Sequence, residues 1–280
     1  MTISGEVLRN MRALAAKQDW VVTTAQLRAA GAERADVRRM LRAGQWLPLT
    51  RGSYWIGRDA RGPSLRARVR GLLLTCGSQA MAAGPTAARL LGIQGLPPDD
   101  GTLHLATLHA TIRNRQGVHI HRTLVPDHAR TTLRGIPLTT PARTCADLLL
   151  QLPRAEAVSV LDSALHQGVL TSADRLTLPT HLSGRPGARQ ARTWIPLANA
   201  RAESPLETRI RLICLDGGLP PPVLQWPIPD PERGRAFRID LGWPAQRVGT
   251  EADGQGPMPP PKPSTKTASA RTAWPPSSPA

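Results

Sequence analysis

The chain has 280 residues, which is long enough for two or three modest domains rather than a single core. Its formal net charge of +16 is spread along the whole length, so the composition favours a polyanionic partner, nucleic acid first. An arginine-rich chain with abundant Ala, Gly and Pro is also what a GC-rich genome produces. Three separated cysteines fit no zinc or disulfide pattern, and no apolar run is long enough to span a bilayer. The sequence therefore predicts a cytoplasmic protein without a membrane partner.

Residues 1–60 predict a winged helix–turn–helix. An amphipathic helix over 5–17 precedes a short helix that begins at a capping box, and a third helix covers about 33–43. A hairpin over 46–56 follows, with its turn at Arg51-Gly52. This order of elements is typical of a fold whose last helix before the hairpin enters the major groove of DNA.

Basic side chains on this domain are the candidates for DNA contact. Guanidinium groups bind phosphates and the edges of guanine, and an arginine at the hairpin turn would lie on the wing. The predicted nucleic-acid-binding residues are Thr24, Arg34, Arg38, Arg39, Arg42 and Arg51. The same arginines also fit a solvated helix face on a domain that mediates protein contacts.

Residues 61–180 predict a middle domain of mixed helices and short strands, and the Pro/Gly/Arg-rich residues 181–203 predict a linker. His119 and His121 alternate along one predicted strand, with His104 on another. These three side chains could form a metal site. The residues favour exposed polar-face histidines over a metal site, because no Cys or carboxylate stands at ligand spacing.

Residues 204–255 contain a capping box, Ser204 with Glu207, and then an alternating strand pattern that ends near Trp243. If that strand pairs with the next as a hairpin, three carboxylates converge on one patch. They belong to Asp240, Glu251 and Asp253. Clustered carboxylates repel one another, and a divalent cation is the usual reason to tolerate them. Three of these four acids also have a simpler explanation: a helix cap for Glu207, an arginine partner for Asp240, and a turn at Asp253-Gly254.

The order of these segments resembles a known family. The N-terminal stretch WVVTTAQLRAAGAERADVRRMLRAGQWLPLTRGSYWIG and the later GIPLTTPARTCADLL resemble actinobacterial proteins with a domain like the type IV antitoxin AbiEi. The segments SPLETRIRLICLDGGLPPPVLQWPI and FRIDLGWPAQRVGTEADG resemble Vsr-like endonucleases of the PD-(D/E)xK, restriction-endonuclease-like fold. The resemblance covers about residues 5–255.

This resemblance implies an α+β multidomain protein with a winged helix–turn–helix, a mixed α/β middle domain and an incomplete restriction-endonuclease-like α/β domain. It also implies a catalytic set that binds Mg²⁺, with Asp240 and Glu251 as metal ligands and Glu207 as the acid on the first helix. Asp253 stands where the superfamily has a lysine, so the general base is unassigned.

Residues 256–280 are Pro-rich and contain no acidic residue, and they predict a disordered tail. Since the family continues at this point with further helices and strands, the change in composition indicates a truncation or frameshift. The expected function is therefore DNA binding of an antitoxin or regulator type, with a cognate toxin as a second partner and an endonuclease-like domain without activity. The alternatives are a metal-dependent DNA endonuclease and a module that binds RNA or protein.

Overall fold

The computed structural model describes residues 5–77, 79–109, 112–114, 116–230 and 235–252. It is a mixed α and β protein built from more than one unit, as the sequence predicts. No helix within these residues is long and apolar enough to cross a membrane.

The N-terminal unit alternates short helices and strands. Its elements are α1 (Gly5–Ala16), β1 (Val21–Thr23), α2 (Thr24–Ala29), α3 (Arg34–Arg42), β2 (Leu47–Thr50) and β3 (Ser53–Trp55). The helices follow the predicted boundaries within about two residues, and the predicted hairpin is β2 with β3. The sequence does not predict β1, which pairs with β3 so that the sheet order is β1-β3-β2. Met11, Leu27 and Trp46 are among the buried side chains that join the helices to this sheet.

The middle unit has a mixed sheet with helices packed against it. Its first part contains α4 (Leu65–Cys76), β4 (Met81–Ala82), α5 (Gly84–Leu90), β5 (Leu103–Ala106), β6 (Val118–His121), β7 (Arg130–Leu133) and β8 (Ile136–Thr139). Within the described residues the strand order is β6-β5-β4-β8-β7. The β5/β6 and β4/β8 pairs are parallel, and the other two pairs are antiparallel.

A helical layer completes the middle unit and extends into the predicted linker. It comprises α6 (Pro141–Leu149), α7 (Arg154–His166), α8 (Ser172–Leu182) and α9 (Ala188–Trp194). The structure differs here from the expectation for 181–203, because Ala188, Ala191 and Ala198 are buried in the same core as α6 and α7. The Pro/Gly/Arg-rich composition of this segment does not suggest helices, because the buried contacts are made by small alanines. The segment is a packed part of the unit.

The last elements are α10 (Pro205–Asp216), β9 (Val223–Asp230), β10 (Arg235–Trp243) and β11 (Val248–Thr250). The three strands form an antiparallel sheet of order β11-β10-β9 in the described part of the chain. A buried ion pair joins α10 to the middle unit: Arg211 Nη2 lies 2.6 Å from Asp162 Oδ2, and the Asp162 side chain is 2% exposed. Thr208 Oγ1 donates to the same carboxylate oxygen at 2.7 Å, and the backbone N–H of Asn199 donates to the other at 2.7 Å.

The N-terminal and middle units are joined by a link that centres on Asp19. Its carboxylate accepts from Arg66 Nε on one oxygen and from Arg70 Nε at 3.0 Å on the other, and its side chain is only 7% exposed. Arg70 also donates to the carbonyls of Arg134 and Gly135 at 2.8 and 2.6 Å. Asp19 itself has φ +59°, a left-handed conformation that is costly outside glycine. The link therefore fixes one unit against the other through a strained turn.

Candidate functional site

The α3 helix presents a basic face to solvent. Glu33 and Asp36 form its N-terminal capping box, and Val37 is buried against the core. Arg34, Arg38 and Arg42 are exposed, and their spacing of four residues places them along one side of the helix. Among the described residues, no carboxylate forms an ion pair with any of these three.

Arg39 differs from the other three arginines of α3. Its Nη2 lies 2.5 Å from Asp36 Oδ1, in an i,i+3 pair on the same helix. Because the carboxylate already neutralises the guanidinium, Arg39 is a weaker candidate for a phosphate contact than its neighbours. An acid followed three residues later by an arginine on a helix is the sequence pattern that predicts this ion pair.

The turn between β2 and β3 carries Arg51 to the surface next to α2. Gly52 has φ +88°, which a two-residue turn at this position requires. The backbone N–H of Thr24 donates to the Gly52 carbonyl at 2.8 Å, and the Thr24 hydroxyl lies 3.4 Å from the same oxygen. Thr24 therefore fixes the turn relative to the start of α2, whereas Arg51 is exposed.

Two of the predicted acidic residues come together in the last unit. Glu207 is 6% exposed, and its Oε2 accepts from the backbone N–H of Glu203 at 3.0 Å and from Gln225 Nε2 at 2.8 Å. Gln225 Nε2 also lies 3.4 Å from Asp240 Oδ1. The Gln225 backbone has φ +54° within β9. The sequence does not predict Gln225, and its strained backbone and central position become visible only in three dimensions.

The predicted magnesium ligands do not fit the ion as they stand. Asp240 Oδ2 accepts from the backbone N–H of Ala252 at 2.8 Å, and the Gln225 amide N–H group faces both carboxylates. N–H donors in these positions relieve the repulsion between Glu207 and Asp240, and they occupy one oxygen of Glu207 and both oxygens of Asp240, which Mg²⁺ would need as ligands. Glu251 is exposed. Asp253 lies outside the described residues, within which no group of three ligand residues is arranged to hold a metal.

Three histidines pack together on neighbouring strands of the middle unit. His104 on β5 stands opposite His119 on β6, and the ring centroids among His104, His119 and His121 are 4.6 to 5.2 Å apart. His104 Nδ1 and His121 Nε2 are 3.0 Å apart, so one ring donates and the other accepts. Burial, followed by the neighbouring imidazoles, lowers the pKa of His121 to about 4, and burial also lowers the pKa of His104.

We expect the histidine cluster to make the protein less stable in weak acid. An imidazole whose pKa lies below its unfolded value of about 6.5 stabilises the fold above that pH, and this contribution is lost as the pH falls from about 6.5 to about 4. We expect the urea midpoint of the wild type to fall between pH 7 and pH 5, and His121→Gln to reduce that fall. His166→Gln changes an exposed histidine on α7 and should keep the wild-type pH dependence. An unaltered pH profile in His121→Gln contradicts the assignment.

Comparison with known proteins places the two main units in one family. A family model described as "Transcriptional regulator, AbiEi antitoxin" matches residues 9–56, and one described as "AbiEi antitoxin C-terminal domain" matches residues 80–196. The uncharacterized proteins MT2308 and Rv2248 of two Mycobacterium tuberculosis strains are each 32% identical to this chain over 192 residues. That alignment covers 69% of this chain and 69% of each relative.

Among solved structures, the chain is similar to the crystal structure of the Rv2827c protein from Mycobacterium tuberculosis. The identity is 22% and the TM-score is 0.47, over 69% of this chain and 77% of that one. The family assignment rests on the two family models, which together cover most of the N-terminal and middle units, and on the mycobacterial relatives. The chain belongs to the AbiEi antitoxin family of transcriptional regulators.

Proposed function

We propose that this protein is a DNA-binding regulator whose N-terminal unit is a winged helix–turn–helix that inserts α3 into the major groove of duplex DNA. The proposal rests mainly on Arg34, Arg38 and Arg42. These arginines form an exposed row on α3, and no carboxylate among the described residues forms an ion pair with them. The family to which the chain belongs supports the same class of function.

The arginines of α4 are paired with carboxylates, unlike Arg34, Arg38 and Arg42 of the proposed DNA-binding surface. On α4, Arg66 and Arg70 are bound to Asp19, and Arg68 lies 3.5 Å from Asp99. Those guanidiniums hold the protein together, so they are less available to phosphates. Arg34, Arg38 and Arg42 of α3 and Arg51 at the turn are exposed, which is what a phosphate contact needs.

The direct test is a fluorescence-anisotropy titration of the protein against duplex DNA at several salt concentrations. Each arginine that neutralises a phosphate releases a counterion, so the logarithm of the affinity should fall linearly with the logarithm of the salt concentration, with a slope of about −0.9 per contact. Binding without salt dependence, or no binding at low salt, contradicts the proposal.

The antitoxin family implies a toxin as the protein's functional counterpart. We propose a cognate toxin as a second partner and the cytoplasm as the place of action, because DNA is found there. The middle unit, which corresponds to the antitoxin C-terminal domain model, is the part proposed to oppose the toxin.

A second candidate function rests on the Glu207–Gln225–Asp240 cluster. A restriction-endonuclease-like domain would place an acid on its first helix next to an aspartate on a strand, and these two side chains do approach each other through Gln225. The N–H donors around both carboxylates argue against cleavage, so we propose that the domain is inactive.

Inactivity is checked by incubating duplex DNA with the protein and Mg²⁺ or Mn²⁺. We expect no cutting above the background of an Asp240→Ala variant, because Glu207 Oε2 and both oxygens of Asp240 accept internal hydrogen bonds. Cutting by the wild type that disappears in Asp240→Ala establishes the endonuclease instead.

A further inference from the structure

The N-terminal unit contains a cavity of about 520 Å³ behind the proposed DNA-binding surface. It lies between α1, the connection from α3 to β2, and the segment that leads from β3 towards α4. The residues that line it include Met11, Arg12, Met40, Trp46, Trp55 and Arg58. This volume lies within the range of about 300–1,000 Å³ that small-molecule sites occupy.

The walls combine aromatic surface with positive charge. Trp46 and Trp55 are 4% and 7% exposed, so each indole is held in the core and presents only a small part of its surface to the cavity. Gly57 lies flat against Trp55, since a Cβ there would stand 2.4 Å from the indole ring. The Trp55 part of this wall is therefore tightly packed, and a larger side chain at Gly57 would have to displace the indole ring.

Charge at the rim of the cavity favours an anion. Arg12 and Arg58 are exposed and have no carboxylate partner among the described residues. The acid on the same rim, Asp59, is already occupied: its Oδ1 accepts from the backbone N–H of Arg61 at 2.9 Å and from Arg61 Nε at 3.3 Å. The unpaired charge of the lining is therefore positive.

We infer that this cavity is an effector site for a small aromatic anion, a planar ring system that carries one carboxylate or sulfonate. The rings of the ligand pack against Trp46 and Trp55, and its acidic group binds Arg12 and Arg58. Met40 belongs to α3 and Leu47 to β2, so a ligand here contacts both elements that carry the proposed DNA contacts. This regulatory role rests on the proposed function, and ligand binding and DNA binding are coupled reciprocally.

The probe for the test is 8-anilinonaphthalene-1-sulfonate, an aromatic monosulfonate that fluoresces when it leaves water. We expect saturable binding to one site, with energy transfer from tryptophan excited at about 295 nm. Arg12→Ala/Arg58→Ala should weaken this binding about tenfold, the effect of removing roughly 1.4 kcal/mol of charged interaction. The uncharged analogue N-phenyl-1-naphthylamine should bind the wild type less tightly than the sulfonate.

The matched control is Arg9→Ala/Arg189→Ala, which removes the same charge from exposed positions that do not line the cavity. Binding that never saturates, or that weakens equally in both double variants, overturns the site. In a parallel titration, saturating probe should change the affinity for duplex DNA at least threefold, and an unchanged affinity overturns the coupling. A protein that binds the probe but no DNA refutes the proposed function and leaves the site intact, so the two failures are distinguishable.

Discussion

Arg34→Ala/Arg38→Ala/Arg42→Ala is expected to weaken binding to duplex DNA about 100-fold at roughly 0.1 M salt. All three side chains lie on the exposed side of α3, and each substitution removes one group that is proposed to bind a phosphate or a base. The slope of log affinity against log salt should become shallower by about 1 for each phosphate that is no longer neutralised. Fluorescence anisotropy over a salt series measures both quantities. The fold should survive, because the side chains that α3 buries are unchanged.

Two controls separate this effect from a general loss of charge. Arg9→Ala/Arg189→Ala/Arg201→Ala removes three exposed arginines outside α3 and should leave both affinity and slope close to the wild type. Arg39→Ala should have a smaller effect than Arg38→Ala, because Asp36 already pairs with Arg39. If the α3 triple variant and the control triple variant weaken binding equally, α3 is not the contact surface.

Asp162→Ala is expected to destabilise the protein by about 3–5 kcal/mol, the usual cost of breaking a buried ion pair from one side. The substitution leaves Arg211 charged, buried and unpaired, and it also frees Thr208 and the backbone N–H of Asn199. Burial raises the pKa of Asp162, and Arg211 opposes that shift. Urea unfolding at pH 7, followed by circular dichroism, measures the change in the free energy of unfolding.

The double variant Asp162→Ala/Arg211→Met tests whether the unpaired charge of Arg211 causes that loss of stability. Replacing both charges removes the stranded guanidinium, so the double variant should recover a large part of the stability that Asp162→Ala alone loses. Arg154→Ala breaks an exposed pair with Asp216 and should cost less than about 1 kcal/mol. Additive losses in the double variant would show that the ion pair itself is not what holds α10 in place.

Local patterns predict much of the N-terminal unit. The capping box of Thr23 and Gln26 forms as expected, since each residue needs only a partner three positions away. The periodicity that buries Val37 also turns Arg38 and Arg42 outward. The start of α6 depends on equally local contacts, because the Thr140 side chain caps the helix that begins with Pro141.

Features that depend on distant residues could not be predicted in this way. The short strand β1 exists because it pairs with β3, about thirty residues later. The capping box expected at Ser204 and Glu207 forms only in part: Ser204 accepts from the N–H of Glu207, but the Glu207 carboxylate turns to Glu203 and Gln225 instead. The hydrogen bond from Gln225 depends on the position of β9, and the sequence around Glu207 contains no pattern that predicts it.

The Asp19 link has a consequence for how this regulator would sit on a promoter. Because Asp19 binds Arg66 and Arg70 of α4, this link restricts rotation between the N-terminal and middle units. If α3 lies in the major groove as proposed, the middle unit should project from one side of the duplex. Moving the binding site by half a helical turn, about 5 base pairs, carries that unit to the opposite side of the DNA. On the proposed docking, the spacing between the binding site and the promoter would determine which proteins the middle unit can contact.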